Sequence, residues 1–77
     1  MIWSVVGDDD VSVNDTDTAT VTMRVSPRPG GTFRLVATFE RDGKGRSVLL
    51  DHPWFGRREW ARAYAADWWK DARGKLP

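Results

Sequence analysis

Seventy-seven residues (1–77) make a single small domain near the lower limit at which one core holds without staples, and the absence of cysteine excludes disulfides, thiol chemistry and thiolate metal sites. A net charge of +1 excludes the strongly basic balance of proteins that hold nucleic acid through phosphates alone. No apolar run approaches the roughly 20 residues of a membrane span, and MIWSVVGDDD lacks the basic start and long apolar middle of a signal peptide, so the expectation is a cytoplasmic protein with no membrane partner.

The small net charge hides an asymmetry. Met1 to Met23 carries five aspartates and no Lys or Arg, a charge of −5, whereas Arg24 to Pro77 carries +6. A basic body points towards an anionic partner.

In chain order, Ile2 to Val6 is a short β-prone run closed by Gly7. Asp8 to Asp17 is rich in Asp, Ser, Asn and Thr, which bond to their own backbone and favour turns, so it reads as an acidic loop that Val11 and Val13 shorten by extending a strand locally. From Thr18 to Ser26 the pattern alternates, with Ala19, Val21, Met23 and Val25 inward and Thr18, Thr20, Thr22 and Arg24 outward. Pro27 to Gly31 ends that strand, because proline cannot donate to a ladder and the glycine pair permits positive φ.

Thr32 to Arg41 alternates again: Phe33, Leu35, Ala37 and Phe39 face inward, Arg34, Val36, Thr38 and Glu40 outward. Asp42-Gly43-Lys44-Gly45 is a hairpin turn, and Arg46 to Leu50 the returning strand. Asp51-His52-Pro53 leads into a helix, with Pro53 suited to its first position and Gly74 to its end. On a helical wheel Trp60, Tyr64, Trp68, Ala61, Ala72 and Ala65 fill one apolar arc, with Trp69 at its edge. The stripe Trp60, Tyr64 and Trp68 is therefore expected in the core. The fold class that follows is α+β, a three- or four-stranded antiparallel sheet packed against one C-terminal helix, with the other sheet face left to solvent or a partner.

Catalytic chemistry finds little support. His52 is the only histidine, none of Ser4, Ser12, Ser26 and Ser47 sits in a nucleophile frame, and His52 before a proline reads as a cap or turn residue, so a non-enzymatic protein without cofactors is expected. Asp8, Asp10, Ser12 and Asn14 have the alternate spacing of calcium-loop ligands, but Val13 stands where glycine is required and Ala19 where the bidentate glutamate belongs. Gly43 and Gly45 precede no helix and form no phosphate cradle, and zinc lacks ligands.

With hairpin and helix assigned, GTFRLVATFERDGKGRSVLLDHPWFGRREWARAYAADWWKDAR, from Gly31 to Arg73, resembles the arm-type DNA-binding domain at the N-terminus of phage tyrosine recombinases. The resemblance covers about 43 of the 77 residues and rests on an aromatic-rich strand, a glycine-containing turn, a second strand and an Ala-rich helix. It implies that the open sheet face enters the major groove while the helix packs behind. Position by position it turns Arg34, Val36 and Thr38 of the central strand, Lys44 and Arg46 of the hairpin, and Thr22 and Arg24 of the preceding strand towards DNA. Arginine reads guanine and threonine contacts phosphate or a thymine methyl. Glu40 on the same face and the acidic N-terminal third depart from the family, and no recombinase catalytic domain follows, so the implied role is accessory to a phage or mobile element.

A second reading, of a different class, is a small inhibitor or adaptor that binds a host protein complex, in the manner of phage anti-defence proteins. It uses Asp8, Asp9 and Asp10 as phosphate-like charge and Trp54, Phe55 and Trp69 as docking anchors. A continuous Arg/Lys surface through Arg24, Arg34 and Arg46 favours the first reading, and aspartates lining that face favour the second. Monomer and homodimer are both compatible with the sequence.

Overall fold

A computed structural model describes all 77 residues. The chain forms strands β1 (Ser4–Val6), β2 (Asp9–Asp15), β3 (Thr20–Arg28), β4 (Thr32–Glu40) and β5 (Arg46–Phe55), followed by one helix, α1 (Arg58–Ala72). Each strand pairs antiparallel with the next, giving a five-stranded meander in the order β1-β2-β3-β4-β5, one strand more than the upper expectation. No helix is long and apolar enough to cross a membrane.

The extra strand comes from the acidic segment, which is not a loop. Val6 pairs with Asp9 across a turn that opens on Gly7 at φ 61°, a conformation that costs glycine little. β2 then runs along β3 from Asp10 opposite Val25 to Asp15 opposite Thr20. The backbone hydrogen bonds of this ladder outweigh the local turn preference of its Asp, Ser and Asn side chains. β3 likewise continues through Pro27 to Arg28. The β2 register stops at Asp10 opposite Val25, so Pro27 lies where that side of β3 has no ladder to interrupt.

The helix covers one face of the sheet. Beneath it lie Val21, Met23 and Val25 of β3 and Leu35, Ala37 and Phe39 of β4, as the alternation of those strands predicts, joined by Ala19 and by Ala61 and Ala65 of the helix. The helix begins at Arg58, and Asp51, His52, Pro53, Trp54 and Phe55 belong to β5, so neither Pro53 nor Trp54 opens a helix.

The face that α1 presents is also rotated from expectation. Ala61 and Ala65 are fully buried, whereas Trp60 is 57% and Tyr64 41% exposed. Trp68 and Trp69 pack partly against the core. Two physical reasons account for the rotation. Methyl side chains let the helix axis lie close to the sheet, where indoles would hold it away. Rolling onto alanine also carries Arg58 and Arg62 inward, where Arg58 Nη1 and Arg62 Nε lie 3.5 and 3.7 Å from Oδ2 of Asp10. Trp60 instead lies beside Gly56 and under the Arg57 guanidinium, 5.4 Å from its ring centroid.

β2 is consequently polar inside and apolar outside. Asp10 and Ser12 are buried under the helix side, while Val11 and Val13 face the open side. The amide of Asn14 donates to Oγ and to the backbone carbonyl of Ser12, both at 3.2 Å, whereas Asp10 is met only by the two arginines of the helix.

Candidate functional site

On the face away from α1, Thr22 and Arg24 of β3 stand beside Val36 and Thr38 of β4, since Thr22 pairs with Thr38 and Arg24 with Val36. Their side chains, with those of Arg28, Arg34 and Arg46, line an open groove of about 610 Å³. Four arginines converge there and no carboxylate lines it. Six of the seven residues that the resemblance turns towards DNA thus share one concavity. Lys44 does not, because it sits in the β4–β5 turn, its N–H bonded to the Arg41 carbonyl at 2.8 Å.

The carboxylates stand at the flanks and hold the guanidiniums in place. Arg24 Nη1 meets Asp9 Oδ2 at 2.6 Å from the β2 side. From β5, Asp51 accepts a two-pronged pair from Arg34, with Nε to Oδ1 at 2.8 Å and Nη2 to Oδ2 at 2.5 Å. Arg46 lies 3.7 Å from Glu40 at the far end of the same face. The hydrogen bond from Arg24 holds the Asp9 carboxyl below the usual carboxylate range, against a smaller opposing effect of lost hydration. The bond from Arg34 does the same for Asp51, and the reciprocal bond raises Arg34. Both carboxylates are therefore anions at neutral pH. Arg28 is paired with none of them, and its guanidinium lies 5.8 Å from the ring centroid of Trp54.

The aspartates singled out by sequence separate in space. Asp8 occupies the β1–β2 turn, Asp9 the open face, and Asp10 is 5% exposed beneath the helix, so the three present no common anionic surface. The aromatic anchors separate too. Trp54 is 71% exposed, whereas Phe55 and Trp69 pack partly against the core. Phe55 stacks on His52 at a centroid distance of 4.2 Å, with Tyr64 tilted 5.3 Å from His52. His52 is thus a strand residue in an aromatic corner rather than a helix cap, and its Nδ1 accepts the Trp54 N–H at 3.4 Å. No group of three or more His, Cys, Asp or Glu side chains is placed to hold a metal ion.

No family model, curated protein or solved structure matches this chain. What the groove can do chemically rests on its own side chains. Guanidiniums at several points along an open trough, backed by threonine hydroxyls, are suited to a chain of phosphates. Sequence reasoning missed Arg28, the fourth guanidinium, because it lies between Pro27 and Pro29 in what reads as a turn. Continuing the outward alternation of Thr22, Arg24 and Ser26 for two more residues identifies it.

Proposed function

We propose that this protein is a non-enzymatic binding module that takes nucleic acid along the open face of its sheet, as an accessory protein. The supporting observation is the convergence of Arg24, Arg28, Arg34 and Arg46 on one groove, with Asp9, Asp51 and Glu40 at its flanks. The flanking carboxylates keep the guanidiniums extended in the absence of ligand, which lowers the ordering cost of binding, and they reduce the net positive field.

The test is a salt titration of binding to mixed-sequence DNA, single-stranded and duplex, with the wild type and Arg24→Ala/Arg34→Ala. Affinity should fall as salt rises, and the double variant should bind more weakly with a log–log slope reduced by about 1–2. Absence of binding to either form at low salt by a folded wild type rules out the reading.

A protein partner is the second reading, favoured by Asp9, Asp51 and Glu40 standing on the same face as the arginines. A surface of interleaved opposite charges suits another mixed-charge surface. Asp51→Asn separates the two. Removing one negative charge about 4 Å from a bound phosphate is worth roughly 1 kcal/mol in water, so nucleic-acid affinity should rise about fivefold. A variant that gains no nucleic-acid affinity and loses a captured protein partner supports the second reading instead.

A further inference from the structure

We infer that the groove takes a single-stranded nucleic acid, with one unpaired base stacked on Trp54. The inference rests on the nucleic-acid reading above and narrows it from nucleic acid in general to its unpaired form.

The shape of the face carries the first part of the argument. The major groove of duplex DNA is about 12 Å wide and admits a helix or a two-stranded ribbon. This sheet has five strands, roughly 19 Å between its outermost axes at about 4.8 Å per step, and β1 and β2 flank β3 where a narrower sheet would end. Its arginine face is a trough and not a ridge. A single strand can run along such a trough with its phosphates on the arginines, which is how single-strand binders track the backbone.

Trp54 carries the second part. Between β4 and β5 the register slips: β5 spends three steps from His52 to Phe55 while β4 spends two from Phe33 to Leu35. His52 and Phe55 both turn to the aromatic corner near α1, so the extra length at Pro53 and Trp54 is thrown outward. The result is a tryptophan 71% exposed, the most exposed aromatic ring of the chain. It is held by the guanidinium of Arg28, and Arg28 itself lines the groove. An exposed indole at the end of an arginine trough combines the two elements that single-strand binders use: a cationic track for the backbone and a π-face on which any base stacks. The Arg28 contact adds a cation to that platform and fixes its position relative to the phosphate track. No element of the core requires this exposure. Trp54 is absent from the residues packed against the buried cluster.

The experiment compares oligothymidylate and oligouridylate of about 12 nucleotides with a blunt duplex of matched length. Binding is followed by anisotropy of the labelled nucleic acid at low salt for wild type, Trp54→Ala and Trp54→Phe, each checked for native circular dichroism. Wild type should bind a single strand at least tenfold more tightly than the duplex. Trp54→Ala should lose roughly tenfold of single-strand affinity, since stacking is worth about 1–3 kcal/mol per base, and Trp54→Phe should recover most of it. The thymidylate and uridylate arms tell whether a DNA or an RNA strand is preferred. Equal or tighter duplex binding, or single-strand binding indifferent to Trp54→Ala, overturns the inference while leaving the arginine groove as a nucleic-acid site. Failure of wild type to bind any of the three overturns both.

Discussion

Replacing Ala65 by leucine should destabilise the protein by about 2–3 kcal/mol, whereas Trp60→Ala should change its stability by less than about 1 kcal/mol. The contrast inverts what residue size suggests. Ala65 is fully buried where α1 meets the sheet, over a core in which Val21, Met23, Val25, Leu35 and Ala37 are likewise closed to solvent. Three added carbons there push the helix off the sheet or force strained rotamers, because interiors packed like organic crystals hold no spare volume. Trp60 keeps more than half its surface in water and lies beside Gly56 and Arg57 at the corner before the helix. For a domain of this size, with total stability of roughly 4–11 kcal/mol, the leucine substitution removes a large share of the margin. Urea unfolding monitored by far-ultraviolet circular dichroism measures both. A tryptophan variant that loses as much as the leucine variant would show that the helix rests on its aromatic arc after all.

The second large effect is expected at Asp10. Its carboxylate lies under α1 with Arg58 and Arg62 at ion-pair distances of 3.5 and 3.7 Å, and Oδ2 accepts no hydrogen bond. Removing a buried ion's only countercharge typically costs 3–5 kcal/mol. Here the charges left behind belong to arginines that retain partial access to water, at 30% and 41% of their side chains, so Asp10→Ala should cost roughly 2 kcal/mol. Asp8→Ala, in the exposed turn two residues earlier, should be neutral within about 0.5 kcal/mol. The mechanism makes a further demand. In a double-mutant cycle, Asp10→Ala and Arg62→Ala should be non-additive, because each removes the other's partner. Additive losses would show that Arg62 is not a partner of Asp10 and leave Arg58 as its only countercharge. Arg58 also sits 4.9 Å from the ring of Phe33, so its own truncation carries a packing loss that Arg62 does not share.

The two halves of the sheet were legible to different degrees. In β3 and β4 the inward residues are apolar at every second position, and the structure buries the set that this pattern names except Phe33, which packs against it partly exposed. The hairpin between β4 and β5 was equally plain, because Asp42 and Gly43 both take positive φ, as Asp-Gly turns do. Thr22, Arg24, Arg34, Val36 and Thr38 were legible as one surface for the same reason, whereas Arg46 was placed there only by the resemblance. Strand alternation fixes which face a residue joins once two neighbouring strands are paired in register.

β2 resisted this reasoning. Its inward positions hold Asp10, Ser12 and Asn14 and its outward ones Val11 and Val13, so a pattern that sorts faces by hydrophobicity gives the wrong side. The orientation follows from the tight turn at Gly7 and Asp8 and from pairing with β3, and it is tolerated because Arg58 and Arg62 arrive to neutralise Asp10. Those arginines lie about 50 residues further along the chain. The helix posed the same difficulty. Its wheel showed a wide apolar arc but not which part of the arc touches the sheet, and that choice turned on the small volume of Ala61 and Ala65 together with the position of Asp10.

The local sequence thus determined the class of the fold, the β4–β5 hairpin and the inward and outward faces of the central strands, since strand period and turn chemistry act over a few residues. Only the tertiary structure decided the number of strands, the roll of the helix, the burial of Asp10 and the outward throw of Trp54. Each of these depends on contacts or register between segments far apart in the chain, where no local pattern carries the information.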